Sequence, residues 1–186
     1  MKILSIAVPC YNSQDYMEHC VETLLTGGEK VEIIIVDDGS KDDTAAIADR
    51  LAEKYPTIVK AVHQENGGHG EAVNTGIKNA TGVFFKVVDS DDWVGEEALA
   101  TLLEKLEMFS NSGEDAVNVP DLVLCNYIYD KVGVKHKKVI NYKGYLPLNR
   151  TFTWQDVKKM PPGKYMTMHA CVYRTEVLRE SQLVLP

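Results

Sequence analysis

The sequence predicts an α/β protein, a three-layer α/β/α arrangement around a mostly parallel central sheet. Three observations carry the prediction. Strand-like and helix-like apolar patterns alternate through the first hundred residues. One strand pattern, Val31 to Val36 (VEIIIV), is almost continuously apolar, as a strand is when both sheet faces are covered. The segments rich in Asp, Asn and Gly fall directly after strand patterns, where open α/β sheets bind their ligands.

The elements follow in order. Ile3 to Val8 is apolar and rich in β-branched residues, and Pro9 ends it. From Ser13, the positions Met17, Val21, Leu24 and Leu25 recur at helical spacing until Gly27-Gly28 stops the run. After the VEIIIV strand, Ser40 to Thr44 offers N-cap residues to a helix carrying Ile47, Ala48, Leu51, Ala52 and Tyr55, closed by Pro56. Thr57 to His63 reads as a third strand, Gly70 to Ala80 as a helix and Val83 to Val88 as a fourth strand. A helix with Leu99, Leu102, Leu103 and Leu106 on one face comes next. Asn111 to Pro120 is polar and turn-rich. Beyond it, Asp121 to Asp130 reads as a strand and Val134 to Tyr142 as an exposed partner strand. Thr153 to Lys159 reads as a short helix, Met166 to Tyr173 as a strand and Thr175 to Glu180 as a helix start. Residues 1–110 and 111–186 are thus expected to be two halves of one domain.

Composition narrows the function. Hydrophobic residues make up 45% and charged residues 25%, ordinary for a globular chain with one sizeable core. Twenty Lys and Arg face 27 Asp and Glu, a net charge of −7. Residues 1–100 carry most of that excess, with eighteen acidic against eight basic side chains. With no Lys/Arg block, broad binding to nucleic acid or to a membrane surface is not expected. No signal-peptide pattern and no apolar run near the roughly 20 residues of a membrane span is present. Cys10, Cys20, Cys125 and Cys171 are scattered, which fits a reduced cytoplasmic chain, with any contact to the inner face of a membrane made through segments outside it. Cys10 reads as a small buried hydrophobe rather than a nucleophile.

The loops carry the chemistry. In Asp89-Ser90-Asp91-Asp92, three carboxylates in four positions repel one another unless a cation lies among them, and such hard oxygen donors suit Mg²⁺ or Mn²⁺. A solvated turn capping the next helix is the plainer reading. Asp37-Asp38-Gly39-Ser40 ends the most hydrophobic strand, where nucleotide binders place an acid on a ribose hydroxyl or a base N–H. Asn66-Gly67-Gly68-His69-Gly70 is a glycine loop that lets backbone approach a ligand, with His69 either reaching that ligand or lying on the surface. Gly68 to Val73 is also a near miss to the dinucleotide fingerprint, which keeps a dinucleotide-dependent oxidoreductase open as an alternative.

VPCYN, VDDGS, ENGGHGEAVNTGI and VVDSDDW, in that order over residues 3–95, resemble the family 2 glycosyltransferases, whose nucleotide-binding fold is the Rossmann-like GT-A domain. MHACVYRTEVL resembles the strand–helix segment these enzymes carry past the acceptor site. The resemblance implies a nucleotide-sugar donor, usually a UDP-sugar, a divalent cation, and inversion at the anomeric carbon. The acceptor would be a saccharide, a lipid-linked sugar or another hydroxyl compound. By motif, Pro9, Tyr11 and Asn12 would lie against the nucleoside, with Tyr11 stacked on uracil. Asp38, with Asp37 beside it, would bond the base, and Gly67, Gly68 and His69 would border the donor. Asp89 and Asp91 would hold the metal, Asp91 directly, and Asp92 would face the donor sugar or the acceptor.

Two departures stand out. Many relatives have Arg before the Asn of the third motif, whereas this chain has Val73-Asn74, leaving Lys86 or His69 to meet a phosphate. The family's general base is an acid past the MHACVYRTEVL segment. Glu176 and Glu180 read as polar helix positions, so the base is expected beyond Pro186, in a longer protein. A non-catalytic nucleotide- or sugar-binding module is the third reading.

Overall fold

The computed structural model describes residues 1–111, 119–130, 133, 137–158, 160, 162 and 165–186. The first half holds β1 (Leu4–Cys10), α1 (Met17–Leu25), β2 (Val31–Asp38), α2 (Thr44–Lys54), β3 (Val59–Gln64), α3 (His69–Asn79), β4 (Phe84–Val87) and α4 (Glu96–Ser110). Among the described residues, the second half adds β5 (Leu122–Leu124), β6 (Tyr127–Tyr129), β7 (Lys138–Ile140), β8 (Cys171–Arg174) and α5 (Thr175–Glu180). Six strands form one sheet in the order β3-β2-β1-β4-β8-β5. β3, β2, β1 and β4 run parallel, and β8 joins β4 antiparallel. The expected fold class is the one observed.

Alternation along β1 explains the layers. Leu4, Ile6, Val8 and Cys10 face one side, where α1 contributes Met17, Val21 and Leu24, α2 contributes Ile47 and Leu51, and α4 contributes Leu99, Leu103 and Leu106. Ala7, Ile34, Val36 and Phe85 face the other side, covered by Ala72 and Val73 of α3. There α3 comes close to the sheet at Gly76, where an added Cβ would stand 2.5 Å from Ala7 Cβ. β1 pairs with β4 only as far as Ala7, while its pairing with β2 continues to Cys10. Past Ala7 the two central strands therefore part, and their following loops border a crevice at the carboxyl edge, as expected at a switch in strand order.

Several boundaries differ from the sequence reading. Residues 121–130 are two short strands in different sheets, β5 against β8 and β6 against β7. An alternating apolar pattern does not show a change of partner. The break falls at Cys125-Asn126, where the Cys125 N–H donates to the Ala170 carbonyl. The expected strand from Met166 begins only at Cys171, after a 3₁₀ turn over Met168–Ala170. The expected helix at 153–159 is one 3₁₀ turn, Trp154–Asp156, and Lys159 lies outside the described residues. Residues 112–118 of the polar connection and 134–136 of the expected partner strand also lie outside them. No helix among the described residues is long and apolar enough to cross a membrane.

Candidate active site

Four loops after β1, β2, β3 and β4 meet at the carboxyl edge of the sheet, and side chains tie them together. Asn12, with φ of 50°, donates its N–H to Ser40 Oγ (3.0 Å) and accepts the Lys41 N–H at Oδ1 (2.9 Å). Ser13 is buried; its N–H donates to Thr44 Oγ1 at 2.7 Å and its hydroxyl pairs with Ser90 at 3.0 Å. The first loop is thereby fixed to the second and the fourth. Tyr11 projects from it with 47% of its surface exposed, free to present a ring to a ligand, whereas Pro9 is buried within β1.

The Asp37-Asp38 pair is buried and engaged within the chain. Asp37 accepts the Ser40 N–H at 3.0 Å and meets His63 Nδ1 at 3.0 Å, and His63 Nε2 meets Asp49 of α2 at 3.0 Å. These two hydrogen bonds hold the His63 imidazolium above its ordinary range. Asp38 is 3% exposed; its carboxylate accepts from Gln64 Nε2 (2.7 Å) and from the N–H groups of Gly67 and Gly68 (both 2.8 Å). The glycines sequence reasoning placed at the donor thus also clamp the acid it placed at the base. Gly39, at φ +72°, brings this turn against Asn66, where an added Cβ would stand 2.8 Å from the Asn66 nitrogen. Cys10 is buried, and burial pushes its thiol up to about 12, which makes it inert as a nucleophile.

The fourth loop holds the densest chemistry. The Asp92 N–H donates to the Asp89 carbonyl at 2.9 Å, so the turn returns Asp92 beside Asp89 and turns Ser90 inward. Asp91, at the outer corner, is exposed. Asp89 Oδ1 meets His69 Nε2 at 2.9 Å. On the other side His169, from the 3₁₀ turn before β8, places Nδ1 3.4 Å from Asp92 Oδ2 and 3.9 Å from Asp89 Oδ2. Partial desolvation pushes the carboxyl of the half-exposed Asp92 up, and the nearby His169 opposes that shift. Asp89, Asp92 and His169 offer three donor atoms within 4.8 Å of one another, a set of hard oxygens and one imidazole that suits Mn²⁺ or Mg²⁺.

One residue here escaped the sequence reading, and a second sits differently from what that reading offered. His169 lies in the MHACVYRTEVL segment, but nothing in its spacing shows that the chain returns it to β4. Lys86, offered as a phosphate contact, is instead 8% exposed and donates to the His169 carbonyl at 2.6 Å. Burial holds its ammonium below the ordinary lysine range. Glu176 and Glu180 border a cavity with Gly82, Val83 and Arg174, at the end of β4 opposite to Asp89.

A buried, mostly parallel sheet with carboxylates, glycine amides and imidazoles gathered at its carboxyl edge is the arrangement in which open α/β folds take their ligands. The chain matches the glycosyl transferase family 2 model over residues 5–181, and it belongs to that family. It is 36% identical to an uncharacterized glycosyltransferase, EpsJ, of Bacillus subtilis (strain 168), over 98% of this chain and 51% of EpsJ. It is 42% identical over 53% of its length to 16% of a poly(ribitol-phosphate) β-glucosyltransferase of Bacillus spizizenii. The chain therefore spans about half the length of EpsJ and less of others. The fold matches S. aureus TarS 1–349 in complex with UDP-GlcNAc, with a TM-score of 0.66 and 24% identity, over 100% of this chain and 49% of that one. A Pyrobaculum calidifontis mannosyltransferase in complex with GDP-Man and Mn²⁺ matches with a TM-score of 0.53 and 25% identity, over 66% of this chain and 34% of that one.

Proposed function

We propose that this chain carries the donor-binding half of an inverting, metal-dependent glycosyltransferase that moves a sugar from a UDP-sugar to an acceptor hydroxyl in the synthesis of a cell-surface polysaccharide or glycan. The observation that carries the reading is the meeting of Asp89, Asp92 and His169 at the end of β4, with Asp91 exposed beside them.

The parts divide the work. Tyr11 stacks on the uracil face, and the Asp37–Asp38 turn, held by Gly67 and Gly68, forms the wall that the base meets. Asp89 and Asp91, with Asp92 and His169 alongside, would hold Mn²⁺ or Mg²⁺, which neutralises the diphosphate leaving group when bound. His69 orients the Asp89 carboxylate through its 2.9 Å contact. Asp92 faces the donor sugar or the incoming hydroxyl. The acceptor attacks from the face opposite the diphosphate while a carboxylate takes its proton.

The dinucleotide-like Gly68–Val73 loop favours the competing reading, a dinucleotide-dependent oxidoreductase. A thermal-shift panel of UDP-, GDP- and dTDP-sugars, NAD and NADP, each with and without Mn²⁺, is the experiment. Stabilisation by UDP-sugars that requires Mn²⁺ is expected. Stabilisation by NAD(P) without metal overturns the reading.

A further inference from the structure

An ammonium group buried among side chains is costly unless its surroundings use it. Lys86 is such a group. It stands on β4, three residues before Asp89, and is 8% exposed. Its ammonium donates a 2.6 Å hydrogen bond to the backbone oxygen of His169. Asp89, Asp92 and the Cys125 and Cys171 thiols lie within its electrostatic reach. A methionine of similar length would fill the same space without the cost of burying charge.

His169 needs such a tether. It lies in a single 3₁₀ turn, whose Ala170 N–H donates to Thr167. The sheet pairing of β8 begins at Cys171, and the bond from the Cys125 N–H to the Ala170 carbonyl stops one residue short of His169. The ring also touches Tyr127, with centroids 5.9 Å apart. Among the described residues, the charged tether on the backbone of this residue is Lys86.

We propose that Lys86 is a positioning residue, which holds the turn carrying His169 so that the imidazole faces Asp89 and Asp92. The proposal rests on the reading of that cluster as the metal and donor site. It assigns Lys86 a task other than phosphate contact, and it predicts that function and stability separate on substitution.

The test uses the full chain with Lys86→Met, His169→Ala and the double variant. Calorimetry reads UDP affinity with and without Mn²⁺, melting reads stability, and histidine-ring ¹⁵N–¹H correlation spectra of the metal-free protein read the imidazoles. Lys86→Met is expected to weaken Mn²⁺-dependent UDP binding about 10- to 100-fold, the effect of removing a group that orients a ligand. Its thermal midpoint is expected to stay within about 4 °C of the wild type. The His169 resonances should move while those of His63 stay. In the His169→Ala background the same substitution should add nothing to the loss. Unmoved His169 resonances, unchanged UDP affinity, or losses that simply add overturn the proposal. If His169 moves but the wild type itself binds no UDP with Mn²⁺, the placement by Lys86 stands and the donor-site reading falls.

Discussion

Nδ1 of His169 stands 3.4 Å from the carboxylate of Asp92, joining the turn before β8 to the loop after β4. The contact brings a nitrogen donor from the second half of the chain to the acid cluster of the first. It makes the site a joint product of both halves. Substituting His169→Ala is expected to weaken Mn²⁺-dependent UDP binding at least about tenfold, taking the loss for outer-shell partners as the lower bound. Asp91→Ala and Asp89→Ala are expected to abolish it while leaving the fold intact. Calorimetry with circular dichroism checks all three, and unchanged affinity in Asp91→Ala removes that residue from the metal set.

Tyr11 gives a second prediction. Its ring is half exposed on a loop fixed by Asn12 and Ser13, so replacing it removes a stacking surface without disturbing the framework. Tyr11→Ala is expected to weaken uridine binding by about 1–3 kcal/mol, and Tyr11→Phe to retain most of it. Equal affinities for UDP in wild type and Tyr11→Ala withdraw the stacking role.

The acid loops announce themselves because each directly follows an apolar strand pattern, and a parallel sheet brings all such loops to one edge. DSDD, VDDGS and the glycine loop were legible for that reason. The contact of His169 with Asp92 was not, because it depends on how the chain returns to pair β8 with β4. The burial of Lys86 was hidden in the same way: a lone Lys in FFKVV reads as a phosphate contact, and only the fold shows its ammonium turned to the His169 carbonyl. Asp38 shows a third limit. Its residue type marks a binding acid, but only the folded loop reveals that Gly67 and Gly68 already donate to it.

The Asp37–His63–Asp49 chain sets a pH dependence. Its hydrogen bonds raise the His63 pKa above the ordinary 6.5, so folding favours the protonated ring. A group whose folded value is raised contributes its stability fully below the unfolded value and loses it as pH rises through the folded one. Urea denaturation should therefore show wild type more stable than His63→Ala below about pH 6.5, with the gap narrowing above it. A gap that widens with rising pH contradicts the assignment.

Gly39 tests the loop framework. At φ +72° with Asn66 nitrogen 2.8 Å from where a Cβ would stand, alanine is both strained and crowded. Gly39→Ala is expected to cost about 1–3 kcal/mol in chemical denaturation and to lower UDP affinity as the second and third loops separate. An alanine variant as stable as wild type shows that the two loops are not held as described.

On the proposed function, this carboxyl edge binds a uridine diphosphate through a divalent cation. Calorimetric titration of UDP into the chain, with Mn²⁺ and again with EDTA, is the decisive measurement. Binding with Mn²⁺ that disappears with EDTA is the result predicted. No UDP binding in either condition, alongside metal-independent binding of NAD(P), would contradict it.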